Sequence, residues 1–194
     1  MPEQMKIYLV RHGKPAINKS VWVTKMNLVH FAKFMKNYRN ISITPDREMA
    51  VKVAGIIPVD ALFISSDLKR TVQTATAVTD GAEFKIDKLF REVSLPLVHL
   101  PGTAMCSHWW GLSVALRICG LGGKGENAKQ AKLRVTMAVA QLSKEAMTRD
   151  VALFGHGVMN YFIAKKLLSS GWSGFIPRKI KHWDVMVLTK TIVE

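Results

Sequence analysis

Two arginines and two histidines follow strand-like runs of this sequence and could together handle a phosphoryl group. Arg11 and His12 come directly after "KIYLV", Arg70 comes shortly after "ALFIS", and His156 follows "VALFG". Guanidinium groups form bidentate, charge-assisted bonds to phosphoryl oxygens. A histidine among such cations is favoured in its neutral form, and neutral imidazole is a nucleophile. These residue types therefore predict metal-independent phosphoryl transfer to His12, with the other three side chains stabilising the phosphoryl oxygens.

The chain alternates strand-like and helical runs, which is typical of an α/β layered fold with a largely parallel sheet. Strands are predicted over residues 6–10, 61–65, 83–86, 151–155 and near 184–189. One helix is predicted to begin with Thr44 as its N-cap and Pro45 in its first turn, and a long amphipathic helix is predicted over residues 128–148. Because ligands bind at the carboxyl ends of parallel strands, the four side chains should converge there.

Three segments resemble, in order along the chain, motifs of the histidine phosphatase superfamily, also called phosphoglycerate mutase-like. They are "LVRHG" followed by Asn18, then "SSDLKRTVQTA", then "FGHG". The resemblance implies a three-layer α/β/α sandwich with a mostly parallel central sheet, and it implies that His12 is phosphorylated during the reaction. The residues that it assigns to binding of the phosphoryl group are Arg11, Asn18, Arg70, His156 and Gly157.

A carboxylic acid is still needed to protonate the leaving oxygen. Members of the family often carry a glutamate between the second arginine and the second histidine, and "KLFREVSLP" offers Glu92 there. The alternative for Glu92 is a surface carboxylate paired with Arg91 or Lys88. Asp67 is the competitor because it lies close to Arg70, although its place at the start of a helix favours a capping role.

Three features depart from the family or lie outside its motifs. Pro15 stands where the family commonly has a threonine, in the loop after the first motif. Residues 22–38 predict an added basic helix whose apolar side packs in the core. The apolar, glycine-rich region of about 93–125, with Trp109 and Trp110, is expected to be a variable cap on a single domain that spans residues 1–194.

The charge of the chain favours an anionic partner, since 28 Lys and Arg against 14 Asp and Glu leave a formal net charge of +14. Residues 14–40 contain no acidic residue; their cations are Lys14, Lys19, Lys25, Lys33, Lys36 and Arg39. A phosphorylated small molecule is the expected partner, an acidic membrane surface is a second candidate, and nucleic acid is disfavoured. No cofactor is expected, and no metal site, because no His, Asp or Glu cluster has ligand spacing.

The remaining residues favour a reducing compartment. No secretory signal and no apolar span of about 18 residues is found, so a cytoplasmic protein is expected. The two cysteines, Cys106 and Cys119, have neither disulfide nor metal spacing. The histidines outside the motifs are expected to be ordinary surface or packing residues; they are His30, His99, His108 and His182.

The predicted function is that of a phosphatase which hydrolyses a phosphomonoester through a phosphohistidine on His12, with Glu92 as the general acid. Two alternatives stay open. The first is a phosphoglycerate-type mutase, which the short chain disfavours. The second is a non-catalytic basic module that binds acidic lipid or nucleic acid, for which two histidines at two strand ends would have no use.

Overall fold

The structure of the chain is a computed structural model that describes residues 4–17, 25–26, 28–93, 105–106 and 128–191. The strands within these residues are β1 (Gln4–Arg11), β2 (Lys25–Met26), β3 (Leu62–Ser65), β4 (Lys85–Ile86), β5 (Met105–Cys106), β6 (Val151–Gly155), β7 (Ser173–Gly174) and β8 (Val185–Thr191). The helices are α1 (Leu28–Tyr38), α2 (Arg47–Ala54), α3 (Lys69–Val78), α4 (Ala128–Ala146) and α5 (Gly157–Leu168), with a short 3₁₀ helix at Lys88–Phe90.

A six-stranded sheet in the order β4-β3-β6-β1-β8-β7 positions the motifs. Its strands β4, β3, β6 and β1 are parallel neighbours, whereas β8 runs antiparallel to β1 and to β7. The register pairs Val10 with Phe154 and Ser65 with Phe154, so β1, β3 and β6 end at one edge of the sheet. The predicted α/β fold with a mostly parallel sheet is confirmed, and each predicted strand overlaps an observed one.

The two faces of the sheet pack against different helices. On one face, Tyr8, Val10 and Phe154 pack with buried side chains of α2 and α3. Ile7 and Leu9 alternate with these residues along β1 and are fully buried, so they point to the opposite face, where α5 contacts β1 and β8. Strands that are buried on both faces must be apolar almost throughout, which explains the near-continuous hydrophobic runs of the sequence.

Helix α2 begins later than the sequence predicted. Asp46 is its N-cap, and Oδ1 of Asp46 accepts the N–H of Met49 at 3.1 Å. Thr44 instead donates its backbone N–H to the carbonyl oxygen of Lys14 at 2.7 Å, which ties it to the loop after β1. The prediction of Thr44 as N-cap was wrong, because the helix begins at Arg47 and Asp46, two residues after Thr44, supplies the capping oxygen.

The chain divides into two compact units. The first comprises residues 1–15, 42–92 and 134–194 and contains the whole six-stranded sheet. The second comprises residues 16–41 and 93–133. Its described elements include α1, which is the predicted basic helix, and an antiparallel ribbon of β2 and β5. Trp109 and Trp110 of the predicted cap lie outside the described residues.

Candidate active site

His12 lies at the carboxyl end of β1 with its ring buried. Its backbone N–H donates to the carbonyl oxygen of Gly155 at 3.1 Å, which continues the pairing of β1 with β6. Nδ1 of the ring lies 2.7 Å from the carbonyl oxygen of Gly13. Because a carbonyl oxygen can only accept, Nδ1 carries the proton of the neutral ring and Nε2 holds the lone pair. Nε2 is therefore the nitrogen of His12 that can act as a nucleophile.

Arg70 lies in the first turn of α3 and is almost fully buried. Its Nε donates to Nε2 of His12 at 3.1 Å, and its Nη2 lies 3.3 Å from Nδ1 of His156. One turn further along α3, the hydroxyl of Thr74 accepts the N–H of Gly13 at 2.9 Å and donates to the Arg70 carbonyl oxygen at 2.6 Å. Thr74 thus connects the loop after β1 to α3 through hydrogen bonds. The Arg70 guanidinium lies between the imidazoles of His12 and His156 and contacts both.

His156 follows β6 directly and is the N-cap residue of α5. It is fully buried, and its Nε2 lies 3.0 Å from Oγ of Ser66 at the end of β3. A guanidinium can only donate, so Nδ1 of His156 accepts from Arg70 and Nε2 carries the proton that is donated to Ser66. The ring of His156 lies edge-on to that of His12, with 5.3 Å between the ring centroids.

Arg11 and Gly157 lie against each other where α5 begins. Nη1 of Arg11 donates to the carbonyl oxygen of Ile180, whereas its buried Nε has no hydrogen-bond partner among the described residues. A Cβ atom at Gly157 would lie 3.2 Å from Nε and 3.3 Å from Cζ of Arg11. Glycine at position 157 thus lets the guanidinium lie close to the helix N-terminus, where exposed amide groups and the helix dipole favour an anion, and a larger residue would require the guanidinium to shift by a few tenths of an ångström.

Glu92 reaches the same end of α5. It is half-buried, and its Oε1 accepts the backbone N–H of Met159 at 3.0 Å. Arg91 forms a bidentate ion pair with Asp67 instead. The prediction that Asp67 caps α3 was wrong, since the N-cap residue is Leu68 and no side chain caps the helix there. The two candidate acids therefore have different surroundings. Asp67 pairs with the Arg91 guanidinium, whereas the Glu92 carboxylate contacts the N-terminus of α5.

The histidines of the site are neutral. Burial, followed by the charge of Arg70, lowers the pKa of His12 to about 3. The same two causes, in the same order, hold the pKa of His156 well below its ordinary value. The lone pair on Nε2 of His12 is therefore available for nucleophilic attack throughout the neutral pH range.

The structure brings together five of the seven predicted site residues around the ends of β1 and β6: Arg11, His12, Arg70, His156 and Gly157. The Glu92 carboxylate contacts the first turn of α5 through the N–H of Met159, and Asn18 lies outside the described residues.

Sequence reasoning missed His182, whose ring centroid lies 5.2 Å from that of His12. His182 was expected to be an ordinary surface or packing residue, and the structure places its ring beside that of His12. It precedes β8, and because β8 runs antiparallel to β1, the residues before β8 lie at the edge where β1 ends. His182 could have been found if the direction of this last strand had been known, but hydrophobic periodicity does not reveal the direction of a strand.

No three His, Cys, Asp or Glu side chains in the described part of the chain gather closely enough to hold a metal ion. None of the described helices combines the length and the apolar composition that a membrane crossing requires.

Comparison of sequences identifies a family. The model of the histidine phosphatase superfamily (branch 1) matches residues 46–191. The match includes Arg70, Glu92 and His156 but begins after Arg11 and His12. In the same kind of comparison, no curated protein matches this chain.

Solved structures with the same fold include several phosphatases. A mycobacterial glucosyl-3-phosphoglycerate phosphatase is 18% identical over 96% of this chain and 90% of its own, with a TM-score of 0.60. A proposed α-ribazole-5′-phosphate phosphatase from Escherichia coli is 15% identical over 95% and 90% of the two chains, with a TM-score of 0.65. A variant of phosphoserine phosphatase from Entamoeba histolytica, in complex with phosphoserine, is 18% identical over 84% and 80%, with a TM-score of 0.58. At these identities the likeness concerns the fold.

Proposed function

This chain belongs to branch 1 of the histidine phosphatase superfamily, and from that membership we propose that it hydrolyses a phosphomonoester through a phosphohistidine on His12, without a metal ion. The observation that carries the proposal is the state of the His12 ring. Nδ1 donates a hydrogen bond to the Gly13 carbonyl oxygen, so Nε2 holds the lone pair. Nε of the Arg70 guanidinium lies 3.1 Å from Nε2. A nucleophile and a binding group for phosphoryl oxygens therefore occupy the same few ångströms.

The first step transfers the phosphoryl group to the protein. The phosphoryl oxygens accept hydrogen bonds from the N–H groups of Arg70 and Arg11. Arg70 then no longer donates to Nε2 of His12, and the lone pair of that nitrogen is free to react. Nε2 attacks the phosphorus atom, and a P–N bond forms while the ester P–O bond breaks. The Gly13 carbonyl oxygen keeps the proton on Nδ1, and so it stabilises the positive charge that the ring acquires.

Glu92 is proposed as the group that handles the proton of the leaving oxygen. Its carboxyl group protonates the departing alkoxide in the first step. In the second step the resulting carboxylate takes a proton from water, the water oxygen attacks phosphorus, and the P–N bond breaks to regenerate His12. The Glu92 carboxylate accepts the N–H of Met159 in the first turn of α5, at the helix start that Arg11 approaches, and this contact supports the role.

A small phosphorylated molecule is the proposed substrate. Three structural neighbours bear the names of phosphatases that act on glucosyl-3-phosphoglycerate, α-ribazole-5′-phosphate and phosphoserine. The formal net charge of +14 also favours an anionic substrate. An acidic membrane surface is a further proposed partner. The proposed location of the protein is the cytoplasm.

Hydrolysis of p-nitrophenyl phosphate with and without a chelator tests the proposal. The wild-type chain should turn over in chelator, and His12→Ala should lose activity by at least about a thousandfold, as expected for removal of a nucleophile. Glu92→Gln should keep the phosphoenzyme but lose the limb of the pH profile that reports the acid. When the reaction with substrate radiolabelled in its phosphoryl group is quenched during turnover, the wild-type protein should carry an acid-labile, alkali-stable label. This label should be absent from His12→Ala.

His30→Ala is the matched control, because His30 is an exposed histidine on α1. It should leave turnover and labelling unchanged. Near-wild-type turnover in His12→Ala would contradict the proposal, and so would loss of activity in chelator that added metal restores. A wild-type chain that binds phosphate without any turnover would favour the non-catalytic module instead.

A further inference from the structure

The ring of His12 has an imidazole on two sides, and only one of them belongs to the motifs. His156 lies edge-on at 5.3 Å, and His182 lies at 5.2 Å with 34° between the ring planes. His182 is half-buried and belongs to the segment that joins β7 to β8. Nothing in the motif pattern requires a third ring at this position.

The backbone around His182 is held in place on both sides. The N–H of Trp183 donates to the Arg11 carbonyl oxygen at 3.1 Å, and the N–H of Arg11 donates to the carbonyl oxygen of Asp184 at 3.0 Å. Trp183 has a φ of 69°, a left-handed conformation that is costly for a bulky residue. Its indole packs so closely on Gly13 that a Cβ there would lie 2.6 Å from it. This strained backbone holds His182 against His12.

The two nitrogens of His182 have different surroundings. Nδ1 is buried without a hydrogen-bond partner among the described residues. The His12 backbone raises the pKa of the ring, and because Nδ1 has no partner, we assign this interaction to Nε2, which then carries the proton of the neutral ring. Nδ1 holds a lone pair that nothing in the described part of the site uses.

The charges that act most strongly on the His182 ring are positive. They are Arg11 on β1, Lys14 in the loop after β1 and Arg70 on α3, beside the neutral ring of His12. The nearest carboxylate in sequence, Asp184, accepts the backbone N–H of Lys181. Burial and these cations lower the pKa of His182 to about 4. A dianion bound among the arginines would cancel the charges that oppose a proton on Nδ1.

We infer that His182 is a third functional imidazole of this site, neutral before the substrate binds and protonated at Nδ1 when a phosphoryl dianion binds beside His12. The inference rests on the proposed function. The proton comes from solvent, and no other bond changes. Binding of a dianion is then coupled to proton uptake, so the site binds its phosphoryl group more tightly as the pH falls through the neutral range.

Calorimetric titration with sulfate tests this coupling. Sulfate stays a dianion across the neutral range, so titration in buffers of different ionisation enthalpy counts only the protons that the protein takes up. The wild-type chain should take up protons at about pH 6.5, and His182→Asn should take up about one fewer. His30→Asn, an exposed histidine changed in the same way, should match the wild type. Sulfate binding with an equal proton count in wild type and His182→Asn would overturn the inference.

A second measurement observes the wild-type chain directly and uses a variant only to assign the resonances. The imidazole ¹⁵N resonances of His182, assigned by their loss in His182→Phe, should show Nδ1 changing from unprotonated to protonated when sulfate is added. An Nδ1 signal that stays unprotonated at saturating sulfate would overturn the inference. Turnover of p-nitrophenyl phosphate is measured separately, so a wild-type chain that shows proton uptake without hydrolysis would refute the proposed function and leave His182 in its role.

Discussion

Mild acid should destabilise this protein through the two buried histidines of the site. An unfolded histidine titrates near a pKa of about 6.5, whereas burial and the neighbouring Arg70 lower the pKa of His12 to about 3. The same causes hold the pKa of His156 well below its ordinary value. Below about pH 6.5 the unfolded state therefore binds protons that the folded state excludes, and the free energy of unfolding falls with pH.

The magnitude follows from the width of this pH window. Each pH unit below the unfolded pKa costs about 1.4 kcal/mol for each ring that stays neutral in the folded state. At about pH 5 this is about 2 kcal/mol for His12, whose pKa of about 3 keeps its ring neutral there, and His156 adds to the loss in the same direction. His182, whose pKa is lowered to about 4, also acts in this direction, although its half-buried ring is screened by solvent. The loss is a large fraction of the roughly 5–15 kcal/mol that is usual for a domain.

Urea unfolding between about pH 8 and pH 5, in buffers free of phosphate and sulfate, measures this loss. Anions must be absent because a bound dianion would favour protonated rings and stabilise the folded state. The ion pair of Asp67 does not interfere, since its lowered pKa means that its contribution is lost only below its ordinary value of 3.8.

The double variant with His12→Asn and His156→Asn should lose most of this pH dependence, and His30→Asn should keep it. A wild-type loss below about 1 kcal/mol over this range would refute the reasoning. A double variant that falls as steeply as the wild type would refute it as well, because the protons would then belong to other groups.

Three further substitutions test the geometry around these rings. Gly157→Ala should raise the KM for p-nitrophenyl phosphate several-fold with little loss of stability, because its methyl group would displace the Arg11 guanidinium, which lies 3.2 Å from the added Cβ; an unchanged KM would contradict this reading. Gly13→Ala should lower the free energy of unfolding by about 1–3 kcal/mol, since its Cβ would lie 2.6 Å from the Trp183 indole, and thermal unfolding with no shift would count against that contact. Asp67→Asn should cost less than about 1 kcal/mol and leave kcat unchanged, whereas a large fall in kcat would restore Asp67 as the candidate acid.

Much of the fold was readable from local pattern. The segments that form β1, β3 and β6 are apolar enough to be buried on both faces of the sheet. The polar residues that follow each segment indicate where the strand ends. Helix α4 was readable from its helix formers and apolar spacing. The start of α2 was not, because Thr44 and Asp46 are both good caps and a backbone contact with Lys14 decided between them.

The candidate site divides in the same way. Arg11, His12, Arg70 and His156 could be grouped from the order of strands and motifs alone, since the carboxyl ends of parallel strands meet at one edge. The partner of Asp67 could not be predicted, because Arg91 comes near it only through the packing of the segment after β4. His182 could not be found either, since it depends on the antiparallel course of β8 beside β1.

The class of fold and the chemical character of the site, imidazoles and guanidinium groups at strand ends, follow from the residues alone. Those features depend on residue type and on local periodicity, which act within a few residues. Long-range packing sets which nitrogen of His12 holds the lone pair, which helix end the Glu92 carboxylate contacts and that the His182 ring lies beside His12. These depend on sheet order and strand direction, which arise when segments far apart in the chain bury their apolar faces against one another.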